Sequence, residues 1–398
     1  MARKGARRFR RIKEEAINSN FVLTIRTALR KTSVRIILGV IIAVLLIVGI
    51  YLFNRFKTYD GFSVDKSIKV DSGTGSKIVS FGEFAVKYSE DGVSYIDGEE
   101  TVWANAHEMK TPIVDACQGY LAIADKNTND IFIYTEEGKS GSIRTSYPII
   151  KMEVAEQGVV AALLQEQQAN YIEVYNSDGK QLVSHKTLIQ ENGYPIDFSL
   201  SDDGTQMVVS YLTISDGTLK TKIKFYNFSN VGKNTTDRVI AQFDHYEDVI
   251  VPKVQFVNGD DVIAVGENVL SFYSAGRKPS LKEEIEVKEE IEKIFYNEEY
   301  VGFVLKNDSN GFPHKVKVYD LSGNEKMDED LKGEYDNVKL AGENILLYND
   351  LDCRIVSFNG VTKLEYTFKE EIKDIIPLKD SGEFLIMNSG EIEKVQLD

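Results

Sequence analysis

The chain is poor in the residues that carry the commonest site chemistries. Two cysteines in 398 residues exclude a disulfide-stapled scaffold and a cysteine-rich zinc module. The four histidines, His107, His185, His245 and His314, are far apart and lack ligand spacing, so they read as solvated turn or outer-strand residues rather than a metal centre. No P-loop, GxSxG, HExxH or GxGxxG occurs in the context that would give it meaning. Acidic pairs such as Asp202-Asp203 and Asp260-Asp261, and the stretch 349–352, lack the loop spacing and distal glutamate of an EF-hand, and turn chemistry accounts for them. No catalytic residue, metal ligand or cofactor is therefore assigned. What is present is globular: 42% hydrophobic and 27% charged residues, which excludes a disordered chain, a collagen-like fibre and a polytopic membrane protein.

The formal net charge of −15 is unevenly divided. Residues 1–35 hold 11 basic and two acidic side chains, a surplus of +9, so the remainder carries −24. Between the two lies an uncharged run at residues 36–53, IILGVIIAVLLIVGIYLF, about 27 Å long as a helix and close to the thickness of a bilayer core. No small-residue cleavage site follows it, so it reads as an uncleaved anchor rather than a signal peptide. Arg26, Arg30, Lys31 and Arg35 precede it and Tyr51 and Phe53 end it. By the positive-inside rule these place the N-terminus in the cytoplasm and the C-terminal portion outside, with the basic residues and aromatics at the two membrane interfaces. The basic tail is read as bound to anionic lipid rather than to nucleic acid. The expected organisation is a basic cytoplasmic tail at 1–33, a transmembrane helix at 34–55, a linker at 56–66 and an extracytoplasmic domain at 67–398.

That domain repeats. A short strand ending in an aromatic and followed by a polar turn recurs at Tyr95, Tyr134, Tyr175, Tyr226, Tyr273, Tyr319 and Phe358, in steps of 39, 41, 51, 47, 46 and 39 residues, with Val395 equivalent 37 residues further on. Each unit opens with a strand often entered through proline (Pro112, Pro148, Pro195, Pro252), where a missing N–H is tolerated. A strongly apolar strand comes next (YLAIAD, VVAALLQ, QMVVSYL), then the alternating aromatic-ended strand and a more polar fourth. Four strands per 40-odd residues, with inner strands apolar on both faces, is the pattern of a β-propeller. The expected fold is all-β, a propeller of eight four-stranded blades, with seven as the alternative. The last unit, 372–397, lacks a fourth strand, and the orphan strand at 67–70 is expected to supply it, closing the ring and removing open edges.

Longer connections fall on one rim: 214–220 in unit four, 307–314 in unit six, and 188–194 and 244–251 between units. Loops on a rigid scaffold are where binding usually resides, so Asp216, Lys220, Asp308, Asn310 and His314 are the candidate ligand-binding residues. Ser201-Asp202-Asp203-Gly204 reads as a structural hairpin turn. Cys117 lies in the first strand of unit two and Cys353 between the second and third strands of unit seven. Three blades apart, they exceed the Cα separation of about 7 Å that a disulfide allows, and two free thiols are expected. The layout is similar to quinone-dependent dehydrogenase propellers, but those use repeated tryptophan docking motifs and this chain has only Trp103.

With its basic tail, single anchor and units such as YLAIADKNTNDIFIYTEEGK and VVAALLQEQQANYIEVYNSDGK, the whole chain resembles a family of uncharacterised single-pass membrane-anchored β-propeller proteins from Firmicutes-type bacteria. The resemblance implies a cell-envelope location and carries no catalytic residues across. Three functions follow as expectations. The favoured one is a membrane-tethered extracytoplasmic binding or scaffold module with a protein or cell-wall partner. The second is an envelope hydrolase or lyase, which needs two acids converging at the propeller axis. The third is a sensor signalling through the short tail.

Overall fold

The apolar and alternating segments pair as their period anticipates. The computed structural model describes residues 40–50, 52–53, 55–70, 75–215, 217–307, 311–378 and 382–398. Residues 59–398 form one unit containing eight four-stranded antiparallel sheets, so the ring has eight blades and not seven. Blades 1 to 7 each take four consecutive strands, and blade 8 takes three from the C-terminal end and one from before blade 1. The first strands, in blade order, are Lys77–Phe81, Pro112–Cys117, Ile149–Val154, Tyr194–Leu200, Lys253–Phe256, Ile291–Tyr296, Asn337–Ala341 and Ile372–Pro377. Those of blades 1 to 5 touch in succession, as do those of blades 6 to 8, and the first strand of blade 8 touches that of blade 1. The first strands therefore surround the axis of a closed ring.

The second strands are buried on both faces, as in Val160–Gln165, where Ala161 and Ala162 are fully covered. Small residues keep this layer thin. Gly302 is paired with Phe295 across the first two strands of blade 6, and a Cβ at Gly302 would come within 2.3 Å of the Phe295 ring. The apolar clusters lie between blades. One joins Phe81, Val86 and Tyr95 of blade 1 to Leu121, Ile123 and Tyr134 of blade 2. Each such aliphatic or aromatic side chain contributes about 1.5–3 kcal/mol on burial, so neighbouring blades stabilise one another.

The periodic tyrosines have a specific place. The ladder between third and outer strands shifts register at Tyr134, Tyr175, Tyr226, Tyr273 and Tyr319. A bulge bends a strand and sharpens its twist, and here each one accompanies a buried ring. The hydroxyls find partners: Tyr134 with His107 Nε2 at 2.7 Å and Tyr226 with Tyr211 at 2.8 Å. Trp103 of blade 1 stacks on Tyr134 of blade 2 at 4.8 Å, and its indole donates to the Glu136 carbonyl at 3.0 Å.

Closure occurs as expected but begins earlier. The closing strand is Phe62–Lys69, not 67–70, and pairs from Phe62 with Leu397 to Lys69 with Glu391. Phe62 starts it because its ring packs on Phe384, Tyr366 and Phe368 at 6.0, 5.5 and 5.8 Å, so most of the expected linker belongs to the ring. Two expected loops are also largely strand. In blade 4 the second and third strands run over Gln206–Ser215 and Thr218–Asn227, because an Asp-Gly step favours a two-residue hairpin. The outer strand of that blade extends to Glu247. Cys353 lies within the third strand of blade 7, Asp352–Ser357. Cys117 and Cys353 are both free thiols.

The segment expected to cross a membrane is helical at residues 40–50 and exposed there. Among the described residues no helix is long and apolar enough to cross a membrane. Arg26, Arg30, Lys31, Arg35 and Tyr51 lie outside the described residues, and Phe53 is helical and exposed.

Candidate ligand cavity on the propeller axis

The first strand of every blade is an edge of its sheet, so one row of its backbone N–H and C=O groups has no partner within the blade. Charged side chains on the neighbouring first strands take up several of these groups. Asp115 of blade 2 accepts the Val154 N–H of blade 3 at 2.6 Å. Glu153 of blade 3 accepts the Leu200 N–H of blade 4 at 2.7 Å. Asp197 of blade 4 accepts the Val254 N–H of blade 5 at 3.0 Å, and Ser199 Oγ accepts the Phe256 N–H at 3.1 Å. Further round the ring the polarity reverses. Lys293 of blade 6 donates to the Tyr335 and Asp336 carbonyls at 2.8 and 2.6 Å. Lys339 of blade 7 donates to the Asp374 carboxylate at 2.5 Å and the Ile375 carbonyl at 2.9 Å. One half of the axis is latched mainly by acids, with Lys151 of blade 3 donating to the Phe198 carbonyl of blade 4, and the other by lysines.

A backbone device aims these groups. The first strands of blades 3, 4, 6 and 8 each carry a register shift immediately before Lys151, Asp197, Lys293 and Asp374. One extra residue re-aims the side chain that follows it, which puts a charge on the axis where strict alternation would not.

In the acid-latched half the first strands of blades 2 to 6 line a partly open cavity of about 400 Å³. Asp115, Lys151, Glu153, Lys253, Gln255 and Tyr296 contribute its polar lining, together with Asp202. Lys151 Nζ is held by Glu153 at 2.9 Å, Asp197 at 2.6 Å and the Phe198 carbonyl at 2.5 Å. Burial alone would lower its pKa, but Glu153 and Asp197 hold it above the ordinary lysine range. Lys253 Nζ lies 3.6 Å from Asp197, and burial followed by the nearby Lys151 charge lowers its pKa. Burial and then the Glu153 carboxylate push Asp115 up to about 7. Tyr296 donates to Gln255 Oε1 at 2.9 Å, and burial pushes its hydroxyl up to about 12. The two converging acids that an axial enzyme would require are present as Asp115 and Glu153.

The loop-rim candidates are not gathered into this site. Lys220 lies on the third strand of blade 4 and pairs with Glu247 at 2.8 Å. His314 opens the third strand of blade 6, with Nδ1 2.7 Å from Glu292. Asp216, Asp308 and Asn310 lie outside the described residues. The histidines are not simply solvated: His107 meets Tyr134, and His245 lies 2.9 Å from Glu284. Among the described residues no three His, Cys, Asp or Glu side chains converge to hold a metal. The turn at Ser201 is structural, with Ser201 donating to Asp203 at 2.7 Å and Gly204 at φ +67°. The axial charges were visible as charged residues inside otherwise apolar strands, PIVDAC, IIKMEV and YPIDFSL. Only the bulges and the ring make them converge.

The fold has solved counterparts. The crystal structure of BamB from Moraxella catarrhalis is similar at TM-score 0.55 and 12% identity, covering 85% of this chain and 100% of that one. The WD40 domain of Neurospora crassa Pan2 is similar at TM-score 0.43 and 10% identity, covering 72% and 88%. These likenesses concern the fold alone. No curated protein matches the chain. Residues 55–397 match a family described as being of unknown function, DUF5711.

Proposed function

The chain belongs to the DUF5711 family, whose function is unknown, and we propose that it is a membrane-tethered, extracytoplasmic binding or scaffold module of the bacterial cell envelope. The observation that carries the binding reading is the charged cavity lined by five first strands within a closed ring. A closed propeller is rigid where it encloses a site, and a concave polar pocket in such a scaffold is the default place for a ligand. The tether is supported by the apolar run at 36–53 and by Arg26, Arg30, Lys31 and Arg35 before it. Those charges orient the tail to the cytoplasm and the acidic ring to the outside, and Tyr51 and Phe53 suit the outer interface. In this reading the tail meets anionic lipid and the ring meets a protein or cell-wall partner. The rim residues Asp216, Lys220, Asp308, Asn310 and His314 are candidates for a second contact with that partner.

The Asp115–Glu153 pair supports a second reading, an envelope enzyme in which the protonated Asp115 would act as general acid. It ranks below binding because Glu153 is already engaged by Lys151 and by the Leu200 N–H.

Topology is tested with Lys332→Cys in the full-length protein, expressed in intact bacterial cells and treated with a membrane-impermeant maleimide. Labelling before lysis is expected, and labelling only after lysis would overturn the extracytoplasmic placement. Turnover of a glycan or peptide panel that is lost in both Asp115→Asn and Glu153→Gln would favour the enzyme.

A further inference from the structure

We propose that the axial cavity binds a small zwitterion, an amino acid or short peptide, with its ammonium group on the Asp115–Glu153 wall and its carboxylate on the Lys253 wall. This rests on the reading of the ring as a binding module and names the class of ligand. The cavity, at about 400 Å³, lies within the range that small-molecule ligands occupy. Its lining bears charges of both signs, three acids and two lysines, so an ion of one sign would leave half the lining uncompensated.

The hydrogen-bond inventory distinguishes the two lysines. An ammonium has three donors. Those of Lys151 face Glu153, Asp197 and the Phe198 carbonyl, which leaves none for a ligand. Lys253 lies 3.6 Å from Asp197, beyond good hydrogen-bond length, and its Nζ stands 5.7 Å from the centre of the Tyr296 ring, a contact that takes up no N–H donor. Its neighbours in the cavity, Gln255 and Tyr296, are joined to each other. Lys253 is thus a cation with unspent donors in a partly open cleft, suited to a carboxylate. Asp115 and Glu153 line the same cavity, and burial first, then repulsion by the Glu153 carboxylate, raises the Asp115 pKa. A ligand ammonium between them relieves that repulsion and replaces the proton that Asp115 otherwise retains. Asp115 spends one oxygen on the Val154 N–H, and Glu153 spends one on the Leu200 N–H and the other on Lys151, but each carboxylate oxygen accepts more than one hydrogen bond, so Asp115 takes the larger share of the ammonium and the latch and the ligand coexist.

The test uses full-length protein in detergent with L-alanyl-L-alanine, its N-acetyl form, its C-terminal amide, and free alanine, lysine and glutamate, measured by isothermal titration. Saturable binding of at least one free zwitterion is expected, weakened at least tenfold by blocking either of its ends. Asp115→Asn keeps an oxygen for the Val154 N–H and Lys253→Met keeps the packing. Each is expected to weaken binding at least tenfold while circular dichroism and unfolding cooperativity stay as in the parent. Binding of none of these probes, equal binding of the blocked forms, consumption of the peptide, or unchanged affinity in both variants would overturn the proposal. Surface labelling of Lys332→Cys and envelope cross-linking read the tethered-module assignment separately, so a failed titration leaves that assignment standing.

Discussion

The Asp115 carboxylate of blade 2 accepts the Val154 N–H of blade 3 at 2.6 Å, and burial, followed by the charge of Glu153 beside it, pushes the same carboxyl up to about 7. A structural latch between blades and a titratable wall of the axial cavity are therefore one side chain.

Stability should depend on pH through this group. The folded state holds the Asp115 proton up to about pH 7, whereas an unfolded aspartate releases it near pH 4. Between those values the folded state binds more protons, so its advantage declines as pH rises through that window, by on the order of 3 kcal/mol. Asp115→Asn removes this dependence. Urea unfolding at pH 5 and pH 7.5 should show a smaller difference for the variant than for the parent.

Asp197 should matter more to the fold than Lys151. Asp197 holds Lys151, lies beside Lys253 and accepts the Val254 N–H, so Asp197→Ala removes the carboxylate shared by two part-buried lysines and the acceptor of a main-chain donor, leaving Lys151 with Glu153. The expected cost is about 3–5 kcal/mol. Lys151→Met leaves Asp197 with Lys253 and the N–H and should cost less. Chemical denaturation of the two single variants and the double variant decides it, and equal costs would contradict the latch.

Ring closure depends on Phe62. Phe62→Ala removes the ring packed on Phe384 and Phe368, with an expected loss of about 1–3 kcal/mol, the lower end reflecting its partial burial. Deleting residues 62–69 exposes the edge of Glu391–Leu397 and should produce concentration-dependent aggregation, visible by light scattering.

The two thiols should be silent in the native protein. Burial pushes Cys353 up to about 12, and burial followed by the charges of Asp202 and Asp115 does the same for Cys117. Since the thiolate is the nucleophile, iodoacetamide at pH 8 should modify neither until the protein is unfolded in urea, as mass spectrometry would show.

Much of the architecture was legible before folding. The spacing of Tyr134, Tyr175, Tyr226 and Tyr273 marked the blades because burial of one aromatic per blade is a local demand repeated by every unit. The incomplete last unit pointed to the closing strand, although its start at Phe62 depends on contacts with Phe384 and Tyr366, some 300 residues away in sequence. Residues 214–220 are mostly strand rather than loop, because a polar stretch such as TLKTK serves equally as a rim loop or an exposed hairpin, and cross-strand pairing decides which. The candidate site was legible only in pieces. Asp115, Lys151 and Asp197 stood out as charges in apolar strands, yet nothing local relates one to the next.

The sequence by itself determined the 40-odd-residue repeat, the need for closure and the split between a basic tail and an acidic run, because periodicity and charge are carried along the chain, whereas strand pairing decided for eight blades over seven. The tertiary structure alone decided which charges share the axis. Bulges before Lys151 and Asp197 turn their side chains inward, and the unpaired edge groups of neighbouring blades fix which of those charges meet.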